Sequence, residues 1–247
     1  LRHAFPRDAR MFGDARALLD EQVRLITPDL RGLGESPLAD AGTSPPDPGM
    51  DVLGADVLAM LGRLGVNEVF LGGCSMGGYV AMEVLRQAPE RVAGLVLIDT
   101  KAEPDTSEQR DNRHRVADRA EREGVRGWLA ENTLPNILGR TTLLGHSAVV
   151  DAAREMIDSQ RPEGVAWAQR AMAARPDSTP ALRGFSGPAL VLVGEEDVTV
   201  PPASARGLAE LMPDAELVTV PQVGHVLPAE APGAFADAVL GWLSAVS

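Results

Sequence analysis

The sequence predicts an α/β fold: a mostly parallel sheet flanked by helices, with a helical cap inserted into it. Three observations predict it. Five short runs, residues 23–27, 68–71, 92–98, 189–193 and 217–220, are nearly continuous in apolar residues, as strands buried on both faces are. Helical patterns lie between most of these runs, and strands alternating with helices build a parallel sheet. The alternation then breaks between Thr100 and Phe185, a stretch of helical composition with no convincing strand. The 247 residues suffice for one α/β domain plus a smaller insertion. The expected division is a core of residues 1–100 and 186–247 and a helical cap of residues 101–185.

Taken in order, the run at 23–27 reads as the first strand, followed by the turn-rich connector Thr43-Ser44-Pro45-Pro46-Asp47-Pro48-Gly49. Leu53, Val57, Met60, Leu61 and Leu64 recur at helical spacing, with Gly65 as the stop. The strand at 68–71 leads to a helix over 79–87 that ends near Pro89. In the insertion, residues 105–126 are dense in mixed charge, with Asp111/Arg115 and Asp118/Arg122 at i, i+4, and read as a solvated helix face. The apolar residues Leu129, Leu134, Ile137, Met156, Ile157 and Met172 need something to cover, and the C-terminal edge of the sheet gives them that. The remaining helices read as 201–211 and 231–243.

Composition narrows the function. The formal net charge is −12, which repels phosphate backbones and anionic lipid, so neither a nucleic-acid nor a membrane role is expected. No apolar run approaches the ~20 residues that span a bilayer. The N-terminal segment has no apolar stretch like a signal peptide's, and one cysteine, Cys74, excludes an internal disulfide and a cysteine metal cluster. A cytoplasmic protein without metal or organic cofactor is the expectation, and a homo-oligomer is compatible with it. The single lysine, Lys101, against twenty-two arginines points to a GC-rich bacterial genome.

The strongest chemical signal is Gly73-Cys74-Ser75-Met76-Gly77-Gly78, a G-x-S-x-G pattern directly after an apolar strand and directly before a helix. Such a turn lifts a serine hydroxyl clear of the sheet and needs small residues two before and two after it. It also aims the next amide, that of Met76, at the same space at a helix N-terminus. A nucleophilic hydroxyl needs a base, and the base needs an orienting carboxylate. Of four histidines, His114 and His146 read as surface residues, whereas His225 follows the last strand at the sheet edge where α/β sites form. Asp197, 28 residues earlier and just past the strand at 189–193, is the first candidate acid. Asp99, at the end of the strand at 92–98, is the second, and Glu195 and Glu196 read as solvated turn residues. Cys74 precedes the nucleophile and should pack inertly into the core.

These residues together resemble the α/β-hydrolase superfamily. The resemblance rests on His3-Ala4-Phe5-Pro6, on Pro28-Asp29-Leu30-Arg31-Gly32-Leu33-Gly34-Glu35-Ser36, on the elbow, on Gly194–Asp197 with Pro201, and on Gly224-His225. It covers nearly the whole chain except the cap, and is closest to the 3-oxoadipate enol-lactonase-like branch with its small carboxylesterases and perhydrolases. It implies an α/β-hydrolase fold and a serine hydrolase that cleaves a small-molecule ester or lactone through an acyl-enzyme on Ser75. It also implies a second oxyanion donor, the Phe5 amide, beside Met76, with His3 behind the site and Asp29 and Arg31 bracing the loop. Ala4 stands where the family has glycine. Trp128, Trp167 and Leu227 are candidates for the substrate pocket, with cap packing an equal account of the tryptophans. Perhydrolysis or haloperoxidation, C–C hydrolysis and acyl transfer would use the same triad. A non-catalytic binding module on this scaffold is the alternative from another class.

One departure bears on activity. The family has two antiparallel strands, and most of a third, before the segment that begins here at His3. Either the chain is a fragment, or the sheet has lost its first strands, which would expose an edge and loosen the Phe5 amide.

Overall fold

A computed structural model describes residues 1–246. The chain opens with helix α1 (Gly13–Leu19) and, after a long irregular stretch, α2 (Met50–Arg63). The sheet then alternates with helices: β1 (Val69–Cys74), α3 (Met76–Gln87) and β2 (Val92–Ile98). Six helices follow before the next strand: α4 (Ser107–Glu123), α5 (Trp128–Ile137), α6 (Arg140–Gly145), α7 (Ser147–Asp158), α8 (Pro162–Ala173) and α9 (Thr179–Arg183). The core resumes with β3 (Ala189–Gly194), α10 (Pro202–Ala209), β4 (Ala215–Val220), α11 (Leu227–Glu230) and α12 (Pro232–Val246).

The four strands lie in sequence order and all pair in parallel, so every C-terminal strand end points the same way. Gly73 pairs with Leu97, Leu97 with Val191 and Val191 with Leu217, which brings residues 74, 98, 192 and 218 into one row. β3 is buried at every position and β2 at all but Ala93, as the unbroken apolar runs require. β4 is half-exposed along most of its length and forms an edge. Helices α2 and α3 pack on each other, α3 lies on β1 and β2, and α1 packs on α12.

The run at 23–27, expected as a strand, is not one. Leu1 and Arg2 lie between it and β1: the Leu1 amine donates to the Ile26 carbonyl at 2.8 Å, while Arg2 bridges Gly73. Beyond that bond the Val23 amide turns back to the Leu19 carbonyl at 3.1 Å and the Thr27 hydroxyl accepts from Arg16 at 2.5 Å, so 23–27 forms no ladder. An open groove of about 780 Å³ follows, lined by Val23, Ile26, Phe70, Leu71 and Leu243 among others. Arg2 is thus the sole strand-like element before β1 among the described residues. β2 matches the expected run, β3 ends one residue later and β4 starts two earlier, while β1 runs three residues further, through Gly72 and Gly73 to the elbow. The helix expected over 79–87 starts at Met76, immediately after the serine.

The insertion contains no strand among the described residues. Its charged helix α4 lies along α8, and the expected i, i+4 pairs within α4 give way to a cross-helix pair. Arg170 of α8 binds Asp118 at 3.0 Å and Glu121 at 2.5 Å, and the charged face of α4 is otherwise mostly exposed, with only Ala117 and Ala120 buried. An ion cluster fastens the insertion to helix α3: Asp105 binds Arg113 and Arg175, the latter at 2.8 Å, and Arg175 stacks over Tyr79 of α3 at 4.1 Å. Burial raises the Asp105 carboxyl, but the guanidiniums of Arg113 and Arg175 outweigh it and hold it below its usual value.

At Gly164 the α8 backbone meets the Gly32 carbonyl so closely that a Cβ has no room. Gly164→Ala should overpack this seam at a cost of about 1–3 kcal/mol, lowering Tm by at least ~2 °C in a domain of this size. Thermal unfolding followed by circular dichroism checks it, and an unchanged Tm would show that the contact is slack.

Candidate active site

The turn between β1 and α3 holds Ser75 at φ 53°, ψ −113°, a region L-residues rarely occupy. The turn is possible because a Cβ at Gly73 would strike the Gly77 backbone, and one at Gly77 would strike Arg2. Both sides of Ser75 are tied to β2: its amide donates to the Ile98 carbonyl at 2.9 Å, and Thr100 Oγ1 donates to its carbonyl at 2.9 Å. The hydroxyl is left half-exposed at the C-terminal edge of the sheet.

The structure brings three sequence-predicted residues into one line. His225 Nε2 lies 2.7 Å from Ser75 Oγ, and Nδ1 lies 2.7 Å from Asp197 Oδ2. The carboxylate can only accept, so Nδ1 carries the proton and Nε2 accepts from the hydroxyl. Asp197 Oδ1 is held by the Thr199 and Val200 amides at 2.7 and 2.9 Å, which leaves Oδ2 for the imidazole. Burial alone would lower the affinity of His225 for a proton. The hydrogen bond and charge of Asp197, with the charges of Asp99 and Glu230, outweigh burial and raise its pKa above 6.5.

Asp99, the second candidate acid, does not bond His225. Its Oδ2 accepts from the Leu227 amide at 3.1 Å and its Oδ1 from the Gly194 amide at 3.0 Å. Cys74 is fully buried, and burial holds its thiol well above the ordinary range, so it is not a nucleophile.

The loop at residues 3–6 sits beside the elbow. His3 is buried, its Nδ1 meeting the Ala4 carbonyl at 3.0 Å and its Nε2 accepting from the Leu30 amide at 2.9 Å. Burial lowers its pKa, so it is a neutral strut. Asp29 accepts from the Ala9 amide at 2.7 Å and the Glu35 amide at 2.8 Å, while Arg31 grips Asp56 through both nitrogens. Among the described residues, the Phe5 and Met76 amides donate to no protein acceptor.

Two glutamates that sequence reasoning passed over join the cap to the site. Glu196, expected as a solvated turn residue, accepts from the Thr141 amide and hydroxyl at 2.8 and 2.7 Å. Glu230 accepts from Gly139 at 2.7 Å and from Gly224 and Val226, the neighbours of His225, at 3.1 and 3.3 Å. The His225 amide itself donates to Ile137 at 3.0 Å. Glu230 carried one sequence signal, its place five residues after the histidine, whereas nothing in the sequence pairs Glu196 with Thr141.

The expected pocket residues have their polar atoms committed elsewhere. Trp128 donates to Gly124 at 2.8 Å and lies under Arg119, within the cap. Trp167 is buried and donates to Pro46 at 2.8 Å, pinning α8 to the proline-rich connector. The Leu227 side chain is fully buried. Among the described residues no cluster of histidine, cysteine or carboxylates has metal-binding geometry, and no helix is long and apolar enough to cross a membrane.

Comparison with known proteins places this geometry in context. A family model described as the alpha/beta hydrolase family matches residues 3–238. The chain is similar to a thermophilic esterase from Thermogutta terrifontis, solved with malate bound: 41% identity, TM-score 0.94, covering 99% of this chain and 88% of that one. It is also similar to the enol-lactonase of Burkholderia xenovorans LB400, at 27% identity and TM-score 0.87, covering 98% and 89% of the two chains. A curated Mycobacterium tuberculosis relative with a provisional non-heme bromoperoxidase name, BpoC, is 30% identical over 239 residues, 93% of this chain and 86% of that protein.

With Ser75 as nucleophile and His225 as its base, the raised proton affinity of His225 would set the acid side of the pH profile. Only neutral imidazole accepts the serine proton, so kcat/KM should fall as pH drops through a value above 6.5. Glu230→Gln removes a negative charge that favours the imidazolium, so this acid limb should move to lower pH. A pH–rate profile of both forms checks it, and a limb unmoved in the variant would remove Glu230 from the field at the imidazole.

Proposed function

The chain belongs to the alpha/beta hydrolase family, and we propose that within it the protein is a serine hydrolase of carboxylic esters or lactones. The observation that carries this reading is the unbroken line from Ser75 Oγ through both His225 nitrogens to Asp197, 2.7 Å at each step.

In the first half-reaction Ser75 Oγ attacks the carbonyl carbon while His225 Nε2 takes its proton. Asp197 keeps the ring in the productive tautomer and stabilises the imidazolium. The unengaged amides of Phe5 and Met76 are the donors available to the oxyanion, each worth about 3 kcal/mol of transition-state stabilisation. The tetrahedral adduct collapses, and His225 returns the proton to the leaving alkoxide, which stays tethered to the acyl group when the substrate is a lactone. Water, deprotonated by His225, then attacks the acyl-enzyme. The acid leaves and Ser75 regains its proton. The similarity to an esterase and an enol-lactonase supports this substrate class.

A second reading uses the same intermediate: hydrogen peroxide in place of water would release a peracid. The similarity to a protein with a bromoperoxidase name favours it as a side activity.

Ser75→Ala should lower hydrolysis of p-nitrophenyl acetate by about 10⁶-fold, and Asp197→Asn by about 10⁴-fold. A fluorophosphonate probe should label the native protein at Ser75 and leave Ser75→Ala unlabelled. Retained turnover in Ser75→Ala would sink the acyl-enzyme, and absent labelling of the native chain would leave a binding module. Peroxide with acetate and bromide should give serine-dependent bromination if the second reading holds.

A further inference from the structure

Asp99 is a buried carboxylate beside the triad that the reaction scheme leaves unused. It ends β2 with a φ of 47°, which a residue with a side chain occupies only at a cost. It is 1% exposed, and no arginine or lysine pairs with it among the described residues. Its contacts instead run to the neighbouring strand ends. Oδ1 takes the amide of Gly194, the last residue of β3, three positions before Asp197. Oδ2 takes the amide of Leu227, two positions after His225. The Cys74 thiol, next to Ser75 in the chain, faces Oδ2 at 4.0 Å. Its own amide donates to Leu192 at 2.9 Å, so the carboxylate stands on the sheet rather than on a loop.

On the triad reading above, we propose that Asp99 is a positioning residue whose two oxygens pin the acid loop and the base loop to the end of β2 at a fixed separation. A carboxylate suits this place because both of its oxygens accept, and two backbone amides aim at it. An asparagine of the same shape offers only one accepting oxygen and must release one of the two loops. Without the pin, Asp197 and His225 would depend on their mutual bond and on the cap for their spacing.

Asp99 also belongs to the field around the imidazole. The titratable groups facing it are Cys74 on β1, Asp197 beyond β3 and His225 before α11, with Arg7 and Glu230 acting through Cys74 and His225. Burial raises its carboxyl to about 7, against the pull of His225 and of the two amides. Its ionised form stabilises the imidazolium. The proton on Asp99 and the proton on His225 are therefore linked.

The test is Asp99→Asn, assayed by p-nitrophenyl ester hydrolysis, by the rate of fluorophosphonate labelling and by their pH profiles. Native labelling at Ser75 verifies the triad independently, so failure of that reading is separable from failure of this one. We expect kcat to fall about 10–100-fold with KM changed by less than about threefold, as for a small misplacement of reacting groups. The acid limb should move to lower pH because a charge favouring the imidazolium is gone. A lower Tm with unchanged labelling rate and unchanged acid limb would make Asp99 merely structural and overturn the proposal. If the variant does not fold, the native protein carries the test. Its Gly194 and Leu227 amides should both be protected from hydrogen exchange, and fast exchange at either overturns the proposal.

Discussion

A buried imidazole that shuttles a proton needs one fixed neighbour on each ring nitrogen, and the rest of the molecule follows from that constraint. Ser75 and Asp197 supply those neighbours at 2.7 Å each. The three groups come from different strand ends, and only a sheet whose strands all point one way presents three such ends on one edge. The parallel register sets the elbow, Asp99 and the acid loop side by side before any side chain is placed. The continuous apolar runs of β2 and β3 keep that register from slipping, since both faces are buried.

The site stores strain where the strands end. Ser75 and Asp99 close adjacent strands, and both carry positive φ. Such conformations cost on the order of 1–3 kcal/mol each and persist only when their surroundings over-determine them. Here the surroundings are visible. Ser75 is bracketed by Ile98 and Thr100, and Asp99 by Leu192, Gly194 and Leu227. Ser75 thus ties the end of β1 to β2 and Asp99 ties the end of β2 to β3, and this linkage runs beneath the triad.

The parts legible in the sequence were those with a local signature. The elbow announced itself by small residues flanking a serine between strand and helix. Asp197 and His225 were legible by chain order and by position just past apolar runs. The run at 23–27 misled because apolar composition names no partner: it is only partly buried and takes one bond from Leu1 in place of a ladder. The i, i+4 charges of α4 misled in the same way: spacing names the nearest partner along one helix, while Arg170 reached Asp118 from another. Tryptophan in the cap left pocket lining and packing equally open, and the tie of Trp167 to the Pro46 carbonyl was not legible because the two lie 121 residues apart. Glu196 was illegible because its partner, Thr141, is 55 residues away.

That last contact changes how the insertion is understood. Residues 136–141 join α5 to α6, and they touch the loops that carry both Asp197 and His225. Thr141 binds Glu196 beside the acid, Gly139 binds Glu230 beneath the base, Ile137 receives the amide of His225, and Asn136 receives the hydroxyl of Thr199. A lid that only covered substrate would need none of these bonds. Because this segment accepts from or donates to both loops, any displacement of the cap must strain the spacing of Asp197 and His225. Strands provide coarse placement through register, Asp99 ties the loops from below, and the cap ties them from above. A sequence change in α5 or α6 therefore reaches the proton relay through backbone hydrogen bonds, without touching substrate.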